Sequence, residues 1–80
     1  MSEIVLKYPF MAAGKKVEKL TLRRPTVKDL RTVGRFGDTD EDKEVGLIAN
    51  LAGLIPEDMD QMDAADYKVL QDSFRAMLAE

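Results

Sequence analysis

The side chains with the greatest capacity for chemistry are basic and lie around residue 30. Lys28, Arg31 and Arg35 recur at i, i+3 and i+7, a spacing that places side chains on one side of a helix. Arg23 and Arg24 come just before them. Adjacent residues of an extended segment point to opposite faces, so at most one of this pair can join the stripe, and we favour Arg24. We call Arg24, Lys28, Arg31 and Arg35 the basic surface.

Three interpretations of the basic surface are open from the sequence. It can be a solvated helix face, a surface for a protein partner, or a contact for nucleic-acid phosphates. The net charge of −3 counts against nucleic acid, as do the aromatic residues, which fall at predicted core positions. Residues 1–36 hold nine Lys or Arg and three acidic residues, whereas residues 37–80 hold three and twelve. This asymmetry predicts complementary surfaces, within the fold or between copies.

Catalytic and metal chemistry have little support in the composition. With no His and no Cys, His-dependent triads, thiolate nucleophiles and Cys- or His-ligated metal sites are excluded. Asp38, Asp40 and Asp42 match the first ligands of an EF-hand loop, but Lys43 replaces its glycine and Ala49 its bidentate glutamate. We therefore predict no enzyme, no cofactor, no metal and no small-molecule substrate. No apolar run approaches the ~20 residues of a membrane span and no signal peptide is recognisable, so no membrane partner is predicted.

The predicted fold class is α+β, a mostly helical small single domain over residues 1–80. A β-hairpin is predicted over about residues 3–23, with a turn at Gly14 and with Leu20 and Leu22 facing inward. Pro9 marks an edge strand or its end. Period-two alternation predicts that one face of the first strand is apolar, carrying Ile4, Leu6, Tyr8 and Phe10.

Helices are predicted over about residues 26–36, 40–52, 56–61 and 63–78. Thr26 and Asp29 resemble a capping box at the start of the first helix. Val27, Leu30 and Val33 recur at helical spacing, and Val27 and Leu30 are expected to seat the helix on the hairpin. Asp63 and Asp66 repeat the capping pattern before the last helix. That helix has the cleanest apolar stripe, formed by Tyr67, Leu70, Phe74, Met77 and Leu78.

Met59 and Met62 lie next to the last predicted helix. Flexible thioethers either fill gaps in a core or offer an adaptable groove to a partner. Both alternatives stay open from the sequence, and we include Met59 and Met62 with the basic surface as candidate partner-binding residues.

Several motifs occur in a fixed order along the chain. I-x-L-x-Y-P begins at Ile4, Gly14-Lys15 supplies a turn, and "LTLRRPTVKDL" covers residues 20–30. "EVGLIANLAGLIPEDMDQMDAADYKVLQ" follows over residues 44–71. Together they resemble the tail assembly chaperones of Mu-like and related contractile-tailed phages and prophages, over about residues 3–75. Ile55 departs from the pattern, since a Ser or Thr is expected there to cap the short helix.

The resemblance implies a non-catalytic role in tail morphogenesis. Members of this family act in the host bacterial cytoplasm and are absent from the mature virion. They keep the long tape-measure protein soluble and extended until tube subunits polymerise around it. The resemblance thus implies the tape-measure protein, and also the tail tube protein, as partners, and the small size of the domain favours a homo-oligomer. The alternative function is a small nucleic-acid-binding regulator that uses the basic face of the first helix.

Overall fold

A computed structural model describes residues 2–80 and shows an N-terminal antiparallel hairpin followed by helices, which confirms the predicted α+β class. Within these residues the elements are β1 (Ser2–Ala12), β2 (Lys15–Leu22), α1 (Val27–Arg31), a 3₁₀ helix (Val33–Phe36), α2 (Asp40–Leu51), α3 (Pro56–Met59) and α4 (Ala64–Leu78).

A two-residue turn joins the strands of the hairpin. Ala13 and Gly14 have φ values of 51° and 78°, and positive φ at both central positions is the geometry of a type I′ turn. Glycine adopts this backbone without steric cost, which explains Gly14. Leu20 and Leu22 of β2 face the core, as predicted from the alternation.

Strand β1 contains a long bulge between Val5 and Phe10. Val5 pairs with Lys19, whereas Phe10 pairs with Val17, so residues 6–9 of β1 lie opposite Glu18 of β2. Pro9 lies inside this bulge, where its missing amide hydrogen interrupts no ladder bond. The bulge breaks the alternation of side chains, and the prediction that Tyr8 faces inward was wrong because Tyr8 is 49% exposed.

The carboxylate of Asp66 on α4 binds the bulge. Oδ1 accepts a hydrogen bond from the Lys7 amide and Oδ2 accepts one from the Tyr8 amide, both at 2.9 Å. Asp66 is buried, so these two bonds compensate for the loss of its hydration. The capping role predicted for Asp66 was wrong, whereas Asp63 does cap α4 by accepting from the Ala65 amide at 2.8 Å.

Helices α2 and α4 supply most of the apolar surface that covers the hairpin. Leu22, Ile48 and Leu70 are the largest fully buried side chains of the hydrophobic core. The predicted stripe of α4 packs inward at Leu70, Phe74 and Met77, with Tyr67 partly buried and Leu78 51% exposed. The 3₁₀ helix reaches α2 closely because Gly46 has no side chain: a Cβ there would lie 2.1 Å from Cγ of Phe36.

The first helix is shorter than predicted. The sequence predicts one helix over residues 26–36, but α1 ends at Arg31 and a 3₁₀ helix begins at Val33. The Thr32 hydroxyl between them donates to the carbonyl oxygens of Lys28 and Asp29, at 3.1 and 3.2 Å. A hydroxyl that bonds these carbonyls competes with the α-helical pattern, and Gly34 adds a residue of low helix propensity.

Helix α3 begins without a polar N-cap side chain, as the departure at Ile55 implied. Asp58 instead accepts a hydrogen bond from the Ile55 amide at 3.2 Å, which is the backbone half of a capping box.

Removal of the Asp66 carboxylate should destabilise the fold. Asp66→Ala leaves the Lys7 and Tyr8 amides without their acceptor, and we expect a loss of about 2 kcal/mol in the free energy of unfolding, measured by urea denaturation. Asp66→Asn keeps one acceptor oxygen and should lose less. Asp72→Ala is the matched control, because Asp72 is an exposed α4 carboxylate paired with Lys68. Equal losses for Asp66→Ala and Asp72→Ala would contradict this role.

Candidate protein-interaction surface

Helix α1 is amphipathic with its apolar residues outward. Thr26 is its N-cap and forms the predicted capping box: its hydroxyl accepts from the Asp29 amide at 3.4 Å, and Asp29 accepts from the Thr26 amide at 2.8 Å. Asp29 is buried at 7% exposure, whereas Val27 is 72% and Leu30 44% exposed. The prediction that Val27 and Leu30 seat the helix on the hairpin was therefore wrong.

Arg23 is the partner that holds Asp29 inward. Its two terminal nitrogens donate to the two carboxylate oxygens of Asp29, at 2.7 and 2.9 Å. This bidentate bond from Arg23, followed by the bond from the Thr26 amide, holds the pKa of Asp29 well below its ordinary value of 3.8. The same hydrogen bond raises the pKa of Arg23. Arg23 thus joins the end of β2 to α1.

Helix geometry explains why burial of Asp29 exposes its neighbours. Successive residues are rotated by about 100° around an α-helix, so Val27 lies about 160° away from Asp29, nearly on the opposite side. Leu30 lies about 100° away, at the flank of the helix. The Arg23–Asp29 bond holds α1 in this rotation, in which Val27 points to solvent and Leu30 lies at the flank with 44% exposure.

The basic surface is distributed over three segments. Arg24 lies in the connection before α1 and forms an ion pair with Glu80. Lys28 and Arg31 are exposed on α1, and Arg35 lies on the 3₁₀ helix with its guanidinium 4.9 Å from the centroid of the Phe36 ring. Within residues 2–80, neither Lys28, Arg31 nor Arg35 forms an ion pair. These three cations are therefore available to a partner.

Met59 and Met62 belong to the hydrophobic core. Their exposed fractions are 7% and 9%, and they pack in the same cluster as the apolar side chains of α2 and α4. Both thioethers therefore fill space in the core and present little surface to a partner.

A shallow groove of about 210 Å³ lies next to α1. Its lining comes from α1, the 3₁₀ helix, α2 and α4, and consists of Leu30, Val33, Lys43, Glu44, Leu47 and Phe74. The sequence pattern does not predict this groove, because the apolar spacing of α1 favours Leu30 against the hairpin. The residue that could have indicated the groove is Asp29, a capping carboxylate that follows Arg23 and Arg24 in the sequence and lies between Val27 and Leu30.

A second cleft, of about 310 Å³, is acidic. It lies at the first turns of α2 and α3 and is lined by Phe36, Glu41, Asp42, Val45, Pro56, Glu57 and Asp60. Glu41, Asp42 and Glu57 lie in the first turns of α2 and α3, where the helix dipole stabilises negative side chains, whereas Asp60 is the C-cap of α3. Within residues 2–80, no group of three or more His, Cys, Asp or Glu side chains is arranged to hold a metal ion.

Polar side chains fix α4 against α2 beside the groove. Glu44 accepts hydrogen bonds from the side-chain amide of Gln71 and, at 3.3 Å, from Arg75. Burial, and secondly the charge of Glu44, raise the pKa of Tyr67 to about 12. The Glu44 carboxylate is thus engaged by its own chain.

The fold and the surface together define a class of protein: a small α+β module with exposed apolar and basic side chains around α1. Among the described residues 2–80, no helix is long and apolar enough to cross a membrane. A family model for phage tail assembly chaperone proteins, E, or 41 or 14, matches residues 3–79. The chain therefore belongs to the phage tail assembly chaperone family, as the resemblance predicted, and has protein partners in tail assembly. No curated protein and no solved structure gives a significant match.

The Arg23–Asp29 pair should make stability depend on pH in the acid range. Because the folded-state pKa of Asp29 is depressed, its contribution is complete above the ordinary value of 3.8 and is lost as the pH falls below it. Relative to wild type, Asp29→Asn should lose about 2 kcal/mol of unfolding free energy at pH 7, and the difference should shrink as the solution is acidified. Urea denaturation over a pH series tests this. Asp72→Asn is the control, and a pH-independent difference for Asp29→Asn would refute the prediction.

The Tyr67 hydroxyl should ionise at a higher pH in the folded protein than in the unfolded chain. Tyr8→Phe leaves Tyr67 as the one tyrosine of a chain without tryptophan, so its ionisation can be followed by tyrosinate absorbance. We expect a midpoint near pH 12 in the folded protein, against about 10.0 in denaturant. Because the unfolded state loses this proton first, the unfolding free energy should fall between these pH values. Tyr67→Phe should lose less over the same interval, and equal midpoints in the folded and denatured states would contradict the assignment.

Proposed function

We propose that this protein is a non-catalytic tail assembly chaperone that binds the tape-measure protein during tail morphogenesis. Family membership supports a role in tail assembly. The observation that carries the proposal of direct binding is the outward face of α1, where exposed Val27 and Leu30 lie beside the unpaired cations Lys28 and Arg31 within the described chain. Such a surface suits a protein segment that is both apolar and acidic.

The chemistry of the chain is consistent with a binding role. Without His or Cys, it lacks the side chains that most often transfer protons or attack substrates near neutral pH. The buried carboxylates Asp29 and Asp66 are fully used in structural hydrogen bonds. We therefore assign it no catalytic activity.

The proposal includes where and with what the protein acts. It works in the host bacterial cytoplasm, is not retained in the mature virion, and forms homo-oligomers; the tail tube subunit is a second proposed partner. The asymmetric charge supports self-association, because the acidic residues of α2 and α3 and the basic surface can face each other in neighbouring copies.

A nucleic-acid function receives less support from the geometry. Of the five basic residues between positions 23 and 35, Arg23 binds Asp29 and Arg24 pairs with Glu80. The remaining cations, Lys28, Arg31 and Arg35, are few for a phosphate-binding surface, because each phosphate neutralised requires its own cation.

Charge reversal on the basic surface tests the proposal. The variant Arg31→Glu/Arg35→Glu, co-expressed with the tape-measure protein of the same phage, should retain at least tenfold less of that protein on co-purification. Its charges would now repel an acidic partner. The matched control is Lys15→Glu/Lys19→Glu, which changes the net charge equally at exposed positions of the hairpin.

Circular dichroism of each variant establishes that the fold is intact. Undiminished retention by Arg31→Glu/Arg35→Glu would exclude the basic surface as the binding site. A failure of wild type to retain the tape-measure protein would exclude the proposed function itself. Low-salt gel shifts with DNA and RNA distinguish the nucleic-acid alternative, for which retention should be lost in the same variant.

A further inference from the structure

Three apolar helix surfaces meet beside α1 and leave a groove open to solvent. Leu47 and Phe74 form a buried floor, with 5% and 6% exposure, and Val33 is partly buried. Leu30 stands at the side with 44% exposure, so a large apolar side chain borders an unfilled space. Exposed apolar surface of this kind next to a concavity is typical of an interaction site.

Apolar exposure continues on two sides of the groove. Val27 lies one turn before Leu30 on α1 and is 72% exposed. Leu78 lies one turn after Phe74 on α4 and is 51% exposed. The Arg24–Glu80 ion pair brings the end of α4 to the segment that leads into α1, so both exposed residues belong to the same region of the molecule.

The charges that remain available around the groove are positive. Lys43 lines it, and Lys28 and Arg31 are exposed on α1 next to Leu30. The one acidic residue of the lining, Glu44, is bonded to Gln71 and Arg75. An occupant with acidic residues beside its apolar ones would therefore complement the groove.

The size of the groove favours a protein segment over a small ligand. Its volume of about 210 Å³ lies below the range of roughly 300–1,000 Å³ for small-molecule sites, and its lining offers few polar groups to orient such a ligand. An apolar groove between helices is the usual receptor for one face of an amphipathic helix, which inserts residues spaced at i, i+3 or i+4.

We propose that this groove, which we call the anchor groove (Leu30, Val33, Lys43, Glu44, Leu47 and Phe74), receives an apolar residue from an amphipathic, acidic helical segment of the client protein. The inference rests on the proposed function, because it takes the client to be the tape-measure protein. Acidic residues of the segment then lie against Lys28, Arg31 and Lys43. The anchor groove supplies affinity through apolar burial, and the cations supply the preference for acidic segments.

Substitution at the exposed border of the groove tests this without disturbing the core. Leu30→Gln removes the apolar border at a position that is 44% exposed, and Val69→Gln is the matched control at an α4 position that is 46% exposed. Overlapping peptides covering the tape-measure protein are titrated against the full chain by fluorescence anisotropy. We expect wild type to bind peptides with an apolar stripe flanked by Asp or Glu, Leu30→Gln to bind at least tenfold more weakly, and Val69→Gln to bind within twofold of wild type.

Dependence on salt and composition separates the two contributions. Wild-type affinity should fall with rising salt, and peptides with their acidic residues changed to Gln or Asn should bind more weakly at low salt than the originals. Equal affinity of wild type and Leu30→Gln for the binding peptides would overturn the inference, as would a preference for basic peptides.

Failure of the inference is distinguishable from failure of the proposed function. If wild type retains full-length tape-measure protein on co-expression and Leu30→Gln retains it equally, the anchor groove is excluded while the function stands. If wild type retains no tape-measure protein, the proposed function itself is excluded. Analytical ultracentrifugation covers a further occupant: an oligomer that Leu30→Gln dissociates without weakening peptide binding would assign the groove to a second copy of this chain and overturn the inference.

Discussion

The bond between Arg23 and Asp29 determines which side of α1 faces the solvent. A five-residue helix is too short to be stable through its own hydrogen bonds, so its orientation must come from contacts at its ends. Asp29 supplies two such contacts, one to the cap at Thr26 and one to the guanidinium at the end of β2. Both polar groups are satisfied only when the carboxylate faces inward. The exposure of Val27 and Leu30, the open groove and the accessible cations all follow from that orientation.

Asp66 is a second buried carboxylate that joins a helix to the hairpin through hydrogen bonds. Like Asp29, it is a buried acid that accepts backbone amide hydrogens that would otherwise lack a partner. Each carboxylate joins the hairpin to a helix: Asp29 through Arg23 at the end of β2, and Asp66 through the bulge of β1. In a chain of 80 residues with a modest core, these specific polar bonds set the position of the helices where apolar packing is not selective.

Patterns among neighbouring residues predicted most of the secondary structure. Long-range polar bonds explain most of the features that these patterns did not predict. The alternation of Leu20 and Leu22, the turn at Gly14 and the stripe of α4 depend on neighbours in sequence, and all three could be predicted. Tyr8 could not, because the bulge that exposes it is held by Asp66, a residue 58 positions away. The outward orientation of Val27 and Leu30 could not be predicted for a related reason. Periodicity identifies an apolar stripe, but it does not show that the hydrogen bonds of Asp29 turn the stripe away from the hairpin. Among the candidate site residues, the sequence indicated the basic surface, while the anchor groove required the packing of four separate segments.

The link between β1 and α4 also has a consequence for the order of events during synthesis. A two-stranded hairpin is marginal in water, and the bulge of β1 leaves two amides without an acceptor until a carboxylate reaches them. That carboxylate belongs to a residue that leaves the ribosome 59 positions after Lys7. The hairpin therefore lacks the acceptor of its two bulge amides until α4 has been synthesised. Completion of this end of the fold thus depends on α4, the element furthest from β1 in sequence among those described.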